Sequence, residues 1–154
     1  MRRTVDDFRR KGGFNNVLPQ QFSSHVRYYT RQFGVNENVY RALVHVESRG
    51  NQNAGSQVGA IGLSQLMPGT ASDLKVNPRN PVENIKGGVD YLSRMLKTFH
   101  GDHEKAIAAY NAGPGNVQAA IRKGGENWRA QLPSETRTYL AQFRALLNDG
   151  RPLS

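Results

Sequence analysis

Downstream of residue 19 the apolar positions fall into helical rows. Phe22, Val26, Tyr29 and Phe33 recur at steps of four, three and four, one stripe of a helix that Gly34 closes. In the next segment Asn36 is placed to cap the helix start; Val39, Leu43 and Val46 form one row, and Tyr40, Val44 and Glu47 the row beside it, with Gly50 ending the run. Residues 50–62 are rich in turn formers and have no helical period, which predicts a long loop or a small irregular hairpin. Loops of that length in compact domains are often functional. Between Leu63 and Leu74, Pro68-Gly69 divides an apolar run into two short helical pieces. Val82, Ile85, Val89, Leu92, Leu96 and Phe99 predict a long amphipathic helix with Pro81 at its start. A short helix around Ala106–Tyr110 is broken by Asn111-Ala112-Gly113-Pro114-Gly115, and another follows over 116–122. After Pro133, Ser134 can cap a last helix with Tyr139, Phe143 and Leu146 on one face and Leu140 and Leu147 beside them. No internal repeat or strand-like alternation occurs, so the predicted fold class is mainly α, with at most a small irregular β-hairpin.

The 154 residues suit one domain, expected over 20–150. Residues 1–19 carry Arg2, Arg3, Arg9, Arg10, Lys11 and the Gly12-Gly13 pair without a sustained period, and read as a basic flexible arm. The net charge of +9 favours a polyanionic partner: nucleic acid, an acidic membrane face or the bacterial envelope. Neither a zinc-finger pattern nor an aromatic-basic ribonucleoprotein motif is present, so no nucleic-acid partner is expected. The absence of cysteine excludes disulfides, thiolate zinc sites and a cysteine nucleophile. His25, His45, His100 and His103 give no convincing ligand set, and the spacing of Gly55, Gly59 and Gly62 is wrong for a dinucleotide loop. No metal and no cofactor are expected. No apolar stretch approaches the ~18 residues of a membrane span, and the N-terminal residues do not read as a secretory signal.

Most of the twelve acids sit in turns, in the arm or on polar helix faces. Glu47 does not. It follows Leu43 by four residues, Val44 by three and Tyr40 by seven, which puts its carboxyl on the face that must be buried. Desolvation there raises a carboxyl pKa above the ~4.3 of a free Glu, and a carboxyl kept protonated near neutral pH can donate to a glycosidic oxygen, as the buried acid of lysozyme does. The alternative from position alone is a helix-terminal Glu reaching to Arg49 or another base. Asp73 and Glu83 are candidate second acids by proximity in sequence, each also explained as a solvated helical residue.

Four blocks occur in an order that resembles the lytic transglycosylase family, the soluble-type domain with a lysozyme-like α+β fold and a substrate cleft. They are Val46-Glu47-Ser48, Gly59-Ala60-Ile61-Gly62-Leu63-Ser64-Gln65-Leu66-Met67-Pro68, Ala108-Ala109-Tyr110-Asn111-Ala112-Gly113-Pro114 and Glu135-Thr136-Arg137-Thr138-Tyr139. The resemblance implies that Glu47 is the catalytic acid/base and that Tyr139 hydrogen-bonds to it and orients it. Ser48 would anchor the start of the cleft. Gly62, Leu63, Ser64 and Gln65 would line the cleft beside the scissile bond, and Tyr110 and Asn111 would form the opposite wall. Two departures from the family pattern are Ser64, where many relatives carry Met, and Arg49-Gly50-Asn51-Gln52 after the Glu-Ser pair. The implied activity is non-hydrolytic cleavage of the bond between N-acetylmuramic acid and N-acetylglucosamine in peptidoglycan, leaving 1,6-anhydro ends. A lysozyme-type hydrolase and a non-catalytic glycan-binding module are the alternatives. A monomer acting in the periplasm or cell wall is expected, delivered by a virion or a secretion or conjugation apparatus, or present as a fragment of a longer protein.

Overall fold

The computed structural model describes residues 5–6, 9–10 and 12–148. Within 12–148 the α-helices are α1 (Ser23–Phe33), α2 (Glu37–Ser48), α3 (Pro68–Leu74), α4 (Pro81–Thr98), α5 (His103–Ala112), α6 (Pro114–Gly124) and α7 (Ser134–Leu147). Short 3-10 segments lie at Gly13–Asn16, Gln20–Phe22 and Gly125–Gln131. Strand-like pairing among the described residues is confined to isolated bridges, Gly55 with Ile61 and Ile61 with Leu66. The fold is mainly α, and of the two forms expected for the turn-rich stretch, a long loop or a small irregular hairpin, the isolated bridges make it the second.

Helix α2 is the spine. Its residues Val39, Tyr40, Ala42, Leu43, Val44 and His45 are all buried, so this helix is covered nearly all round, as helices in the middle of a core are. Asn36 caps it by accepting hydrogen bonds from the Asn38 and Val39 amides at 2.9 and 3.1 Å. Helices α1 and α7 pack against it, α4 joins α1 to α5, and α5 contacts both α6 and α7. Among the described residues no helix is long and apolar enough to cross a membrane.

Three local expectations are corrected. Helix α2 ends at Ser48, one residue earlier than expected, because Arg49 takes the left-handed conformation (φ 55°) and its N–H returns to the His45 carbonyl. Gly50 is instead a close-approach residue: a Cβ there would run into the Val17 carbonyl. Residues 63–67 form no helical piece. Ile61 and Leu66 exchange both backbone hydrogen bonds at 3.0 Å around a tight turn, Gln65 has φ 49°, and only Pro68–Leu74 is helical. Ser134 is the first residue of α7 and makes no capping hydrogen bond; Pro133 precedes it.

The segment before residue 20 also differs from a flexible arm where it is described. Phe14, Val17 and Leu18 are buried in the main core, at the i, i+3, i+4 spacing of one helical turn. The buried Arg41 of α2 donates from Nη1 to the Phe14 carbonyl at 3.3 Å and from Nε to Glu37 at 2.8 Å. Residues 1–4, 7–8 and 11 of the expected arm lie outside the described residues, as do 149 and 150 at the end of the expected domain.

Candidate active site

Glu47 occupies the last turn of α2, where the buried rows of that helix carry it against α7. Its side chain is half-buried. Tyr139, on the inner face of α7, donates from its hydroxyl to Glu47 Oε2 at 2.8 Å. Burial raises the Glu47 pKa to about 7; the Tyr139 hydrogen bond lowers it, and the negative charge of Glu135 pushes it up again. Burial, with the charge of Glu47 second, holds the Tyr139 phenol well above its ordinary pKa, so Tyr139 remains a donor. With Oε2 occupied by that donor, Oε1 is the oxygen available to carry and deliver a proton.

The loop after α2 is bound to the same place. Ser48 Oγ donates to the Leu63 carbonyl at 2.8 Å, with Val44 O at 3.1 Å as the alternative acceptor, and accepts from the Gly50 amide at 3.3 Å. Tyr110, from α5, donates its hydroxyl to the Ser64 carbonyl at 2.8 Å, and its ring meets Tyr91 of α4 edge-on at 5.1 Å. Gln65 Nε2 donates to Ala54 O and Gly62 O at 3.1 and 2.9 Å, closing the loop on itself. Asn111 Oδ1 accepts from Thr136 Oγ1 at 2.8 Å, which ties the end of α5 to the first turn of α7. The acid with the raised pKa is thus held by one phenol, Tyr139, and is close enough to a second, Tyr110, to raise the pKa of that phenol as well.

The sequence profile of the family described as transglycosylase SLT domain matches residues 24–132. The chain belongs to the transglycosylase SLT domain family. It is 32% identical over 123 residues to the transglycosylase of Enterobacteria phage PRD1, an alignment covering 79% of this chain and 43% of the phage protein. It is 34% identical over 134 residues to the soluble lytic murein transglycosylase of Salmonella typhimurium, covering 76% of this chain and 21% of that one. The crystal structure of the 70 kDa soluble lytic transglycosylase from Escherichia coli superposes with a TM-score of 0.74 at 29% identity, over 86% of this chain and 24% of that one. The fold is thus the mainly α, lysozyme-like SLT fold. The chain spans less than half the length of these relatives.

Within this SLT domain hydrogen bonds join Glu47 to Tyr139, Ser48 to Leu63 and Tyr110 to Ser64, and the side chains of the residues expected at the site divide into two groups. Glu47, Gln65 and Asn111 keep some exposure, whereas Ser48, Gly62, Leu63, Ser64, Tyr110 and Tyr139 are buried. The Leu63 and Ser64 side chains do not line an open cleft. Leu63 is a core residue, and the Ser64 hydroxyl lies 2.6 Å from Tyr40 Oη and 3.1 Å from the Asn84 carbonyl. The buried Tyr40 phenol needs a polar partner, and Ser64 supplies it. Neither candidate second acid is placed beside Glu47: Asp73 is exposed on α3, and Glu83 accepts from the Asn77 amide at 3.0 Å. The carboxylate that bears on Glu47 is Glu135.

The residue that sequence reasoning missed is Asn84. It is buried in the first turn of α4, where Oδ1 accepts from the Ser64 amide at 2.8 Å and Nδ2 donates to the carbonyls of Ile61 and Pro78 at 2.8 and 2.9 Å. It fixes the backbone of residues 61–64 from below while Ser48 and Tyr110 fix it from the sides. Its signal was indirect: Gly87-Gly88 in the middle of an otherwise good helix marks a close approach, and Cβ atoms there would strike Leu66, Val76 and Ser64.

Proposed function

We propose that this SLT domain is a peptidoglycan lytic transglycosylase and that Glu47 is its acid/base. The observation that carries the reading is the Glu47–Tyr139 pair: a carboxyl with a pKa near 7, oriented by a 2.8 Å hydrogen bond. The soluble lytic murein transglycosylase of Salmonella typhimurium supports the substrate class. Ordinary glycosidases use two carboxylates flanking the bond. A single one suffices when the substrate supplies its own nucleophile.

Glu47 Oε1 transfers its proton to the oxygen linking N-acetylmuramic acid to N-acetylglucosamine, and the C1–O bond breaks with assistance from the muramic acetamido oxygen. The Glu47 carboxylate then takes the proton of the C6 hydroxyl as O6 bonds to C1. The anhydro ring closes, Glu47 is again protonated, and no water is consumed. Tyr139 holds Oε2 throughout. Gln65, Asn111 and the backbone of 61–65 hold the sugars, and Ser48, Ser64 and Tyr110 hold that backbone. General acid/base help of this kind is worth ~10²–10⁴-fold, the remainder coming from positioning and charge stabilisation.

Digestion of purified sacculi with release of anhydromuropeptides tests the reading, and Glu47→Gln should abolish that release while leaving the circular dichroism spectrum unchanged. Reducing muramic ends in the product masses would instead assign the chain as a hydrolase. The likeness to the phage PRD1 transglycosylase supports an enzyme of the cell wall or periplasm, carried by a virion for local wall penetration. Mass spectrometry of purified particles from the source organism should then detect the chain.

A further inference from the structure

A second polar site lies on the opposite side of α7 from the candidate active site. Arg137, Ala141 and Arg144 follow one another at steps of four and three, so they share a helix face, and at 100° per residue that face points about 160° away from Tyr139. With Leu140, Arg129 and Ala130 they line a shallow depression of about 200 Å³. Three guanidinium groups therefore rim one apolar-floored hollow.

Among the described residues, the carboxylate ion-paired at this hollow is Glu104 of α5. Its Oε1 accepts from Arg129 Nε at 2.9 Å and lies 2.8 Å from Arg129 Nη2 and 3.3 Å from Arg144 Nε. Arg129 is further fixed over the Trp128 ring, 4.8 Å from the centroid. Two guanidiniums are thus drawn together by one carboxylate oxygen, and Arg137 makes no ion pair among the described residues. Three positive charges face one negative charge, and Arg137 and Arg144 are exposed, so their guanidinium edges are accessible to an anion. Arginine's planar fork matches a carboxylate in a bidentate contact.

We propose that the Arg129–Arg137–Arg144 hollow binds the carboxylates of peptidoglycan stem peptides, anchoring the enzyme to the wall at a point separate from the cleft. The proposal rests on the reading of the chain as a peptidoglycan enzyme. Gln65, Asn111 and the backbone of 61–65 suit the uncharged sugar backbone, and neither side chain is a cation. The negative charge of Glu135 beside Glu47 disfavours anions there. The acidic branches of the polymer meet complementary charge on this other face instead. A wall polymer repeats its carboxylates, so a weak contact of this kind gains through simultaneous engagement with the cleft.

The test uses the full chain carrying Glu47→Gln, so that sacculi are bound without being digested. Sedimentation with whole sacculi at low salt should show Arg137→Gln/Arg144→Gln binding roughly tenfold more weakly, since exposed charge contacts are individually weak but the two act together. The difference should vanish on chitin, an insoluble amino-sugar polymer with neither peptide nor carboxylate, and at high salt. Arg137→Gln alone breaks no ion pair of the fold and should give a smaller loss in the same direction. Titration with a synthetic diacidic peptide should shift the guanidinium NMR signals of Arg137 and Arg144, and inorganic phosphate serves as the comparison anion. Equal binding of parent and double variant to whole sacculi overturns the proposal, as does a difference that persists on chitin or a response to phosphate but not to the peptide. Failure of the function reading shows separately, as absence of anhydromuropeptide release by the unsubstituted chain, and leaves the peptide titration to judge the hollow.

Discussion

Glu47 carries two opposing demands, because the burial that keeps it protonated for catalysis also makes its ionised form costly to the fold. Its pKa is 4.5 without the protein's influence and about 7 within it. Between those values the folded chain holds a proton that the unfolded chain has lost, so stability falls as pH rises through that window and the full cost is present above it. Glu47→Gln should therefore melt higher than the parent at pH 8, by about 2 kcal/mol after allowance for the partial exposure of the side chain, or roughly 5 °C. At pH 4 the two melting temperatures should coincide; an equal difference at both pH values would show that the carboxyl is not held dry. Catalysis has the same sign, with initial rates falling as pH rises past about 7. Tyr139→Phe removes the hydrogen bond that holds the acid's pKa down. That variant should lose ~10- to 100-fold in kcat, the scale of a hydrogen bond to a charged group, and its alkaline limb should move to higher pH.

At the level of elements, the site is a loop gripped by three helices. Helix α4 holds residues 61–64 through Asn84, α5 holds Ser64 through Tyr110, and the end of α2 holds Leu63 through Ser48. Asn84→Ala leaves the buried Ser64 amide and the Ile61 and Pro78 carbonyls without their partner. It should cost about 3 kcal/mol in denaturant unfolding. Hydrogen exchange should quicken first in residues 61–66, and unchanged protection there would remove Asn84 from its positioning role. Much of this arrangement was legible in the sequence. Helical periods located every helix that positions a site residue, and Glu47 stood out because a carboxyl in an apolar row has a high cost. The side-chain directions within 61–66 were not legible. A turn with one left-handed non-glycine residue, Gln65, and two mutual backbone hydrogen bonds has no periodicity to read. Whether Ser64 faces sugar or Tyr40 depends on a partner 24 residues away, information that local pattern does not contain.

Across the whole molecule the least expected dependence runs from the N-terminal segment to the helix that carries Glu47. Phe14, Val17 and Leu18 form a single buried turn, too short to register as a period and masked by the basic residues before it. That turn closes one side of the core around α2. Arg41 reaches from α2 to the Phe14 carbonyl, and Gly50, three residues after Glu47, packs against the backbone of Val17 and Leu18. A chain beginning at Gln20 would expose the surface these three residues cover and leave the buried Arg41 guanidinium short of an acceptor. Each large apolar side chain lost from a core costs about 2–5 kcal/mol, against a whole-domain stability of ~5–15. The shortened chain should therefore be largely unfolded by circular dichroism at about 37 °C and inactive on sacculi. A chain beginning at Gly12 retains all three residues and should keep its helicity and its anhydromuropeptide release. If the chain starting at Gln20 melts within a few degrees of the one starting at Gly12, the N-terminal turn is not part of the support of Glu47.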